Sequence, residues 1–491
     1  MLESFANLIF NIKPIIKDIM KRQKNFFNCV VKTESMISLC LLAFIFASCT
    51  SSGSGELLSG KDFSKWKTSG DISVKDDAFT MQGPGAQAVF KNGKYSDFEL
   101  EMELRTTTGG KGAVFFHTDA SLTKGYRIAI NNDLNDPVWW RLTGSLMSVR
   151  NIAKNFVHEN DWFTMKIHVN GSSVSVFIND QLAVDYIEPE VPFRIAPNEN
   201  AVLSGGTFAL ISDGPGSIQF RNITVIVPDK NNIKTAIAEG VTDEQTDDII
   251  RLHQEDFPVL DYHVHLKGGL TKEVAAKQSR LTGINYAIAP NCGIGFPITN
   301  DEEIAAFINE MRSQPFILAM QAEGREWLTT FSQQARDKFD YVFTDALTFT
   351  DNKNRRTRLW IKQETWIEDE QQYMDLIVDK ICSVLQEPMD IYVNPCYLPD
   401  QMSDRYDEFW TEERMNKFVN ALAKSGKALE INELYNIPNK AIILKAKAAG
   451  VKFTFGTNNV VPEVSMLEYS IRMKKECGLT ARDMYRPKLK N

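Results

Sequence analysis

Six histidines occur in 491 residues, and two of them stand one residue apart in "LDYHVHLKGGL", residues 260–270. A neutral imidazole is a common metal ligand, and a His-x-His pair on an extended strand turns both rings to one face. Period-two alternation directs Asp261 to that same face, below His263 and His265. Later apolar runs end in groups that hold cations or polar ligands: Asn291 and Cys292, then Gln321, Glu323 and Arg325, then Asp345. Asn394 and Cys396, Glu430 and Asn432, and Thr457, Asn458 and Asn459 follow.

From this set His263, His265, Glu323 and Glu430 are candidate ligands of a divalent cation. No histidine follows residue 265, so a histidine-rich multinuclear cluster is excluded. Carboxylate and amide oxygens favour Mn²⁺, Mg²⁺ or Ca²⁺, and a His, His, Glu set also admits Zn²⁺. Such an ion would lower the pKa of a bound water and polarise a substrate oxygen. Asp345 or Glu364 is then a candidate general base, and Arg325 a planar fork for an anionic substrate group. Asn394, Asn432 and Asn458 are candidate substrate-binding amides. The competing readings are satisfied core histidines, an Arg325 tied to Glu326 or Asp345, and an inactive barrel.

The elements that must position these groups form a regular alternation. Strands are predicted at 259–265, 284–290, 316–323, 341–347, 391–397, 428–432 and 452–458. Amphipathic segments such as "QQYMDLIVDKICSVLQE" and "TEERMNKFVNALAKSG" lie between most of them. Apolar strands alternating with helices imply a parallel sheet, and seven units suggest closure into a barrel with its chemistry at the C-terminal strand ends. "DYHVH", "AMQAEG" (319–324), "ALEIN" (428–432) and "VKFTFGTNN" (451–459) resemble motifs of the PHP-type metal-dependent hydrolases over roughly 255–470. The resemblance implies a distorted seven-unit βα-barrel and metal ligation by Glu323. The chain departs from that family at Asn394-Pro395, where the family often has His-Pro, and at Thr457-Asn458-Asn459, where it ends Asp-x-His.

Residues 56–228 read differently, as short alternating runs such as "FELEMELRT" and "SVSVFIND" separated by turn residues. That pattern argues an all-β sandwich, with a hairpin around Asn170-Gly171. "ELLSGKDFSKWKTSGDISVKDDAFTM", "YSDFELEMELRTTTGGKGAVFFHTD" and "IQFRNITV" resemble the 3-keto-disaccharide hydrolase family, a concanavalin-like jelly roll. The resemblance implies carbohydrate handling outside the cytoplasm. Trp139, Trp140 and Arg141 in "NDPVWWRLTGSLM" could form a sugar platform, indoles stacking on C–H faces while polar neighbours take hydroxyls. Covering of the sheet by the same tryptophans is the alternative. Arg221 of "FRNI" is a further sugar-binding candidate, as are His117, Asp119, Tyr126 and Arg127.

Residues 1–49 resemble a bacterial lipoprotein signal with an upstream extension. A basic stretch precedes the short apolar run "MISLCLLAFIFAS" (36–48), then Cys49 as the lipidation site and a tether at 50–55. Export to the cell envelope, with membrane contact through the lipid anchor, follows. A polar linker spans 229–254, and the barrel domain spans 255–491. The formal charge of −8, with no basic block beyond residue 35, gives no nucleic-acid footprint.

Three functions are compatible with these residues. One is an exported hydrolase whose sandwich acts on glycosides or 3-keto-glycosides. Another is a metal-dependent, phosphoesterase-like barrel carrying a sugar-binding sandwich. The last is a non-catalytic surface glycan-binding lipoprotein.

Overall fold

Strict alternation in "FELEMELRT" (Phe98–Thr106) buries Phe98, Leu100, Met102 and Leu104 and leaves the glutamates between them partly solvated. The same period runs through Phe163–Asn170 and Ser173–Ile178, whose hairpin turns at Gly171 with φ of +59°. Repetition of this pattern produces two antiparallel sheets packed face to face. The larger is centred on Phe98–Thr106 and Ser217–Ile226, and the smaller orders Trp66–Ser69, Ala86–Phe90, Thr207–Ser212, Lys111–Thr118 and Tyr126–Asn131. The computed structural model describes residues 54–58, 63–75, 78–228 and 243–490. The lipoprotein-like signal, Cys49 and most of the linker lie outside them. Among the described residues no helix is long and apolar enough to cross a membrane.

The second half is a closed barrel of seven parallel strands with helices outside. Its strands are Leu260–Val264, Asn285–Ile288, Ile317–Ala322, Tyr341–Thr344, Ile391–Tyr392, Ala428–Asn432 and Phe453–Gly456. They neighbour one another in chain order, and the first pairs with the seventh through Asp261 and Phe455. The helices carry ordinary signals. In Glu412–Ser425 the Thr411 side chain caps Arg414 N, acids fill the first turn, and Gly426 ends the helix at φ +69°. Its buried Met415, Phe418, Val419 and Leu422 follow helical spacing and face the barrel.

The alternation expected in the first strand breaks. Leu260 and Asp261 pair with Asn285 and Tyr286, but Val264 pairs with Ile288, so the register slips between Asp261 and Val264. Tyr262 consequently joins the barrel-interior cluster with Tyr341 and Phe343, while Asp261 turns away. Asp261 accepts from Thr457 N at 3.0 Å and from the Thr457 hydroxyl, tying the first strand to the seventh. The expectation that Asp261 shares a face with both histidines is corrected by this bulge.

The two halves meet over the segment after strand Tyr126–Asn131. Trp139 and Trp140 are 3% and 7% exposed and pack with Leu260, Tyr262, Ile317 and Tyr341, the apolar lower layer of the barrel interior. Ala153 N donates to Asn285 Oδ1 at 2.9 Å, Asn285 Nδ2 donates to Asn151 O at 3.0 Å, and Lys154 Nζ donates to Arg312 O at 3.0 Å. Tyr485 and Leu489 of the C-terminal segment pack into the same cluster. The lower mouth of the barrel is thus stoppered by the sandwich.

Candidate functional site

At the C-terminal ends of the barrel strands the polar side chains form two tiers. The lower tier is sealed: His263 and Glu430 are each 0% exposed. His263 Nδ1 lies 2.6 Å from Glu430 Oε1, and its Nε2 lies 3.3 Å from Gln321 Oε1. Glu430 Oε2 accepts from Asn394 N at 2.7 Å and from Asn432 Nδ2 at 2.9 Å. Gly456 makes this proximity possible, because a Cβ there would stand 2.2 Å from Glu430 Oε1 and 2.8 Å from His263 Cβ. The His263 and His265 ring centroids are 4.9 Å apart, so both imidazoles occupy the same region, as expected.

The upper tier is also largely buried. Glu323 and Asp345 are each 8% exposed. Glu323 Oε1 accepts from Asn291 Nδ2 at 2.5 Å, and Asp345 Oδ2 accepts from Asn394 Nδ2 at 2.8 Å. Asp345 Oδ1 also accepts from Leu347 N at 3.0 Å. Burial, then the neighbouring Asp345 charge, raises Glu323 from its usual 4.5 to about 8. Burial raises Asp345 too, opposed by its Asn394 hydrogen bond. The two neighbouring carboxyl groups are hydrogen-bonded unequally, and burial favours the neutral form of each.

Asn394 connects the tiers. Its Oδ1 accepts from Asn432 Nδ2 at 3.1 Å and Asn458 Nδ2 at 2.8 Å while its amide donates to Asp345. Asn394 and Asn458 sit in the left-handed region, with φ of +47° and +50°, a conformation asparagine tolerates and functional sites concentrate. Asn459 clamps the first strand by accepting from His265 N at 2.7 Å and donating to His265 O at 2.9 Å. His265 Nδ1 lies 2.6 Å from Ala289 O, which accepts its proton and leaves Nε2 with the lone pair. That Nε2 is buried, and the Asn458 side chain lies beside it. Burial, then the Lys267 charge, holds His265 well below its usual value, so the ring is neutral.

Sequence reasoning missed Lys267. It follows His265 into the loop of Gly268 and Gly269, and burial lowers its amine to about 8 against the pull of Glu323. Its place two residues beyond a His-x-His pair, on the loop leaving the first strand, was the available signal.

The other expected site residues are placed elsewhere. Arg325 Nη1 pairs with both Glu387 oxygens at 2.9 Å and its Nη2 donates to Thr344 Oγ1 at 2.8 Å, so its fork is already filled. Glu364 accepts from Arg358 Nε at 2.7 Å beside the small hairpin of Thr348–Thr350 and Arg356–Arg358, and takes no part in the rim network. Arg141 pairs with Asp256, and Trp139 and Trp140 are spent on the barrel stopper rather than offered to a sugar. Arg221 pairs with Glu103 Oε2 at 2.6 Å and lies 4.0 Å over the Trp162 ring. Asn432 is wholly buried beneath Asn394. Of the secondary candidates, His117 Nε2 lies 2.9 Å from Ser96 O, Asp119 caps the Ser121 and Thr123 amides, Tyr126 accepts from Arg194, and Arg127 donates to Asn198 Oδ1.

The expected metal ligands are partly engaged with one another and with amides. Among the described residues no group of three or more His, Cys, Asp or Glu side chains is arranged to hold an ion. His263 and Glu430 bind each other, amides fill the remaining Glu430 positions, and the Lys267 cation faces Glu323.

Compared with known families, residues 53–226 match the model of the 3-keto-alpha-glucoside-1,2-lyase-like domain. No curated protein matches the chain. Among solved structures, one candidate glycosyl hydrolase from Parabacteroides distasonis ATCC 8503 is 18% identical, covering 36% of this chain and 94% of its own at a TM-score of 0.33. The carbohydrate-binding module CBM66 from Bacillus subtilis is 18% identical, covering 34% of this chain and 96% of its own at a TM-score of 0.26.

Proposed function

We propose that this chain is an exported carbohydrate-processing enzyme, acting on glycosides or 3-keto-glycosides, with its acid–base chemistry at the barrel rim. The observation that carries the reading is the Glu323–Asp345 pair, two neighbouring carboxyl groups near the barrel strand ends that are hydrogen-bonded unequally. The lyase-like family match of residues 53–226 supports a carbohydrate substrate.

The chemistry is direct for a 3-keto-glycoside. The ketone acidifies the hydrogen on C2, and the glycosidic oxygen on C1 is the leaving group. Asp345 takes the C2 proton, the electron pair forms the C1–C2 double bond as the C1–O bond breaks, and protonated Glu323 gives its proton to the departing oxygen. Lys267 and the Asn458 amide face charge that develops on the ketone oxygen. Addition of water to the enone then gives the free keto sugar, so the net outcome is hydrolysis. An ordinary glycoside needs the same pair in acid and base or nucleophile roles. On this reading the barrel is a divergent relative of the PHP-type hydrolases, and Cys49 carries the lipid.

The test is turnover of a 3-keto-glycoside and its parent glycoside by the full chain, Glu323→Gln and Asp345→Asn. Loss of turnover in both variants, with folding intact, supports the barrel as catalyst. The family match to the sandwich favours a second reading, with chemistry in that domain. Undiminished turnover in both variants would establish it.

A further inference from the structure

Between the sandwich and the barrel runs a cleft lined by Arg150, Asn151 and Phe156, by Val184 of strand Gln181–Ile187, and by Ser279 and Arg280 of helix Lys272–Thr282. It lies beside the N-terminal end of barrel strand Asn285–Ile288, away from the strand ends that carry the carboxyl pair. Two guanidinium groups therefore line one small cleft. Among the described residues neither Arg150 nor Arg280 makes a close ion pair, although the Asp247 charge acts on Arg150 and the Asp185 charge on Arg280 from farther away.

The donors are incompletely used. Arg150 is 7% exposed; its Nη1 donates to Val149 O at 2.9 Å and its Nη2 to Leu281 O at 3.4 Å, but its Nε is buried without a partner. Asn151 is 3% exposed, and its Nδ2 is likewise buried and unpartnered although its main chain is fully engaged with His253 and Asn285. Gly283 preserves the room these groups occupy, since a Cβ there would lie 3.0 Å from Arg150 Cδ and 3.1 Å from its Nε. The nearby carboxylates are committed: Asp247 Oδ1 caps Ile249 N at 2.8 Å, and Asp185 Oδ1 accepts from Ser175 Oγ at 3.2 Å. Burial of guanidinium and amide donors left without hydrogen-bond partners is unfavourable, and an oxyanion matches the guanidinium fork in both charge and shape.

We infer that this cleft is a binding site for an oxyanion carried on a small ligand, a carboxylate, sulfate or phosphate group held by Arg150 and Arg280 with the Asn151 amide. Because its walls come from both halves of the chain, the ligand strengthens their association. The inference is independent of the barrel-rim chemistry.

The probes are sodium sulfate, sodium phosphate and sodium glucuronate, against glucose and against sodium chloride at matched ionic strength. Calorimetry and thermal unfolding of the full chain read the outcome. Saturable binding of an oxyanion, absent with glucose and chloride, is expected, with at least tenfold weaker affinity in Arg280→Gln. Arg150 also anchors the interface, so Arg280 carries the test, and Arg280→Lys, which keeps charge but loses the fork, should fall between the two. Tighter binding of glucuronate than of sulfate would identify an acidic sugar as the ligand class, and the reverse order a free inorganic oxyanion. Sulfate also stabilises proteins by exclusion from their surface, an effect that neither saturates nor depends on Arg280. Absence of saturable binding by all three oxyanions, or equal affinity in wild type and Arg280→Gln, would overturn the site.

Discussion

His263 and Glu430 hold each other, Nδ1 to Oε1 at 2.6 Å, beneath a rim to which neither is exposed. The pair braces the first strand against the sixth. Removing one partner strands the other in a dry interior, so Glu430→Ala should cost about 3–5 kcal/mol of stability. Denaturant titration of the purified chain measures this. Elemental analysis of the same protein after incubation with Mn²⁺ or Zn²⁺ and desalting should find no stoichiometric ion that depends on His263 and Glu430.

Glu323→Gln and Asp345→Asn should each lower kcat by about 10²–10⁴-fold, the range for a positioned acid or base, with a smaller change in KM. Steady-state kinetics on the full chain decides it.

The raised Glu323 carboxyl fixes the sign of two pH effects. The folded state keeps a proton up to about 8 that an unfolded carboxyl gives up near 4.5. Between those values the folded chain binds more protons, so its stability contribution is present at low pH and is lost as pH rises through that window. Glu323→Gln should flatten that decline in a denaturation series. Activity that needs the acid should fall above pH of about 8, and this limb should be absent from any residual activity of the variant.

Gly456→Ala pushes a methyl into Glu430 Oε1 and the His263 stem. Overpacking there should cost about 1–3 kcal/mol and separate the two side chains. Thermal unfolding reports the first effect. Greater hydrogen exchange at the backbone amides of residues 260–264 reports the second.

Trp139→Ala should destabilise the protein by about 3–5 kcal/mol, as expected for a large side chain lost from a packed core. The discriminating measurement is glycan affinity by calorimetry, which should be unchanged at a temperature where the variant remains folded. A sugar platform would instead lose binding while keeping stability.

Much of the architecture was legible because its signals are local. A strand buried on both faces reads as an apolar run, and "ALEIN" is predicted and found at Ala428–Asn432. The Asn170-Gly171 turn sits where its residues require. The rim was legible in part, since Glu323, Asp345, Asn394 and Asn458 do gather, because parallel strands in a barrel end at one level. Long-range partners were not. Nothing adjacent to Arg325 points to Glu387, 62 residues away. The slip inside "DYHV" is invisible to a period-two rule, which assumes an unbroken ladder. "VWWR" has one composition whether its indoles meet a sugar or a neighbouring domain, and here they meet the domain.

The stopper formed by Trp139 and Trp140 bears on how this chain can be divided. Cutting within residues 229–242 would sever a single covalent link yet uncover two matching oily faces, one on a loop and one at the open base of the other half. Each separately expressed piece would carry a sticky wound and tend to clump, whereas co-expressed pieces should find each other and stay soluble.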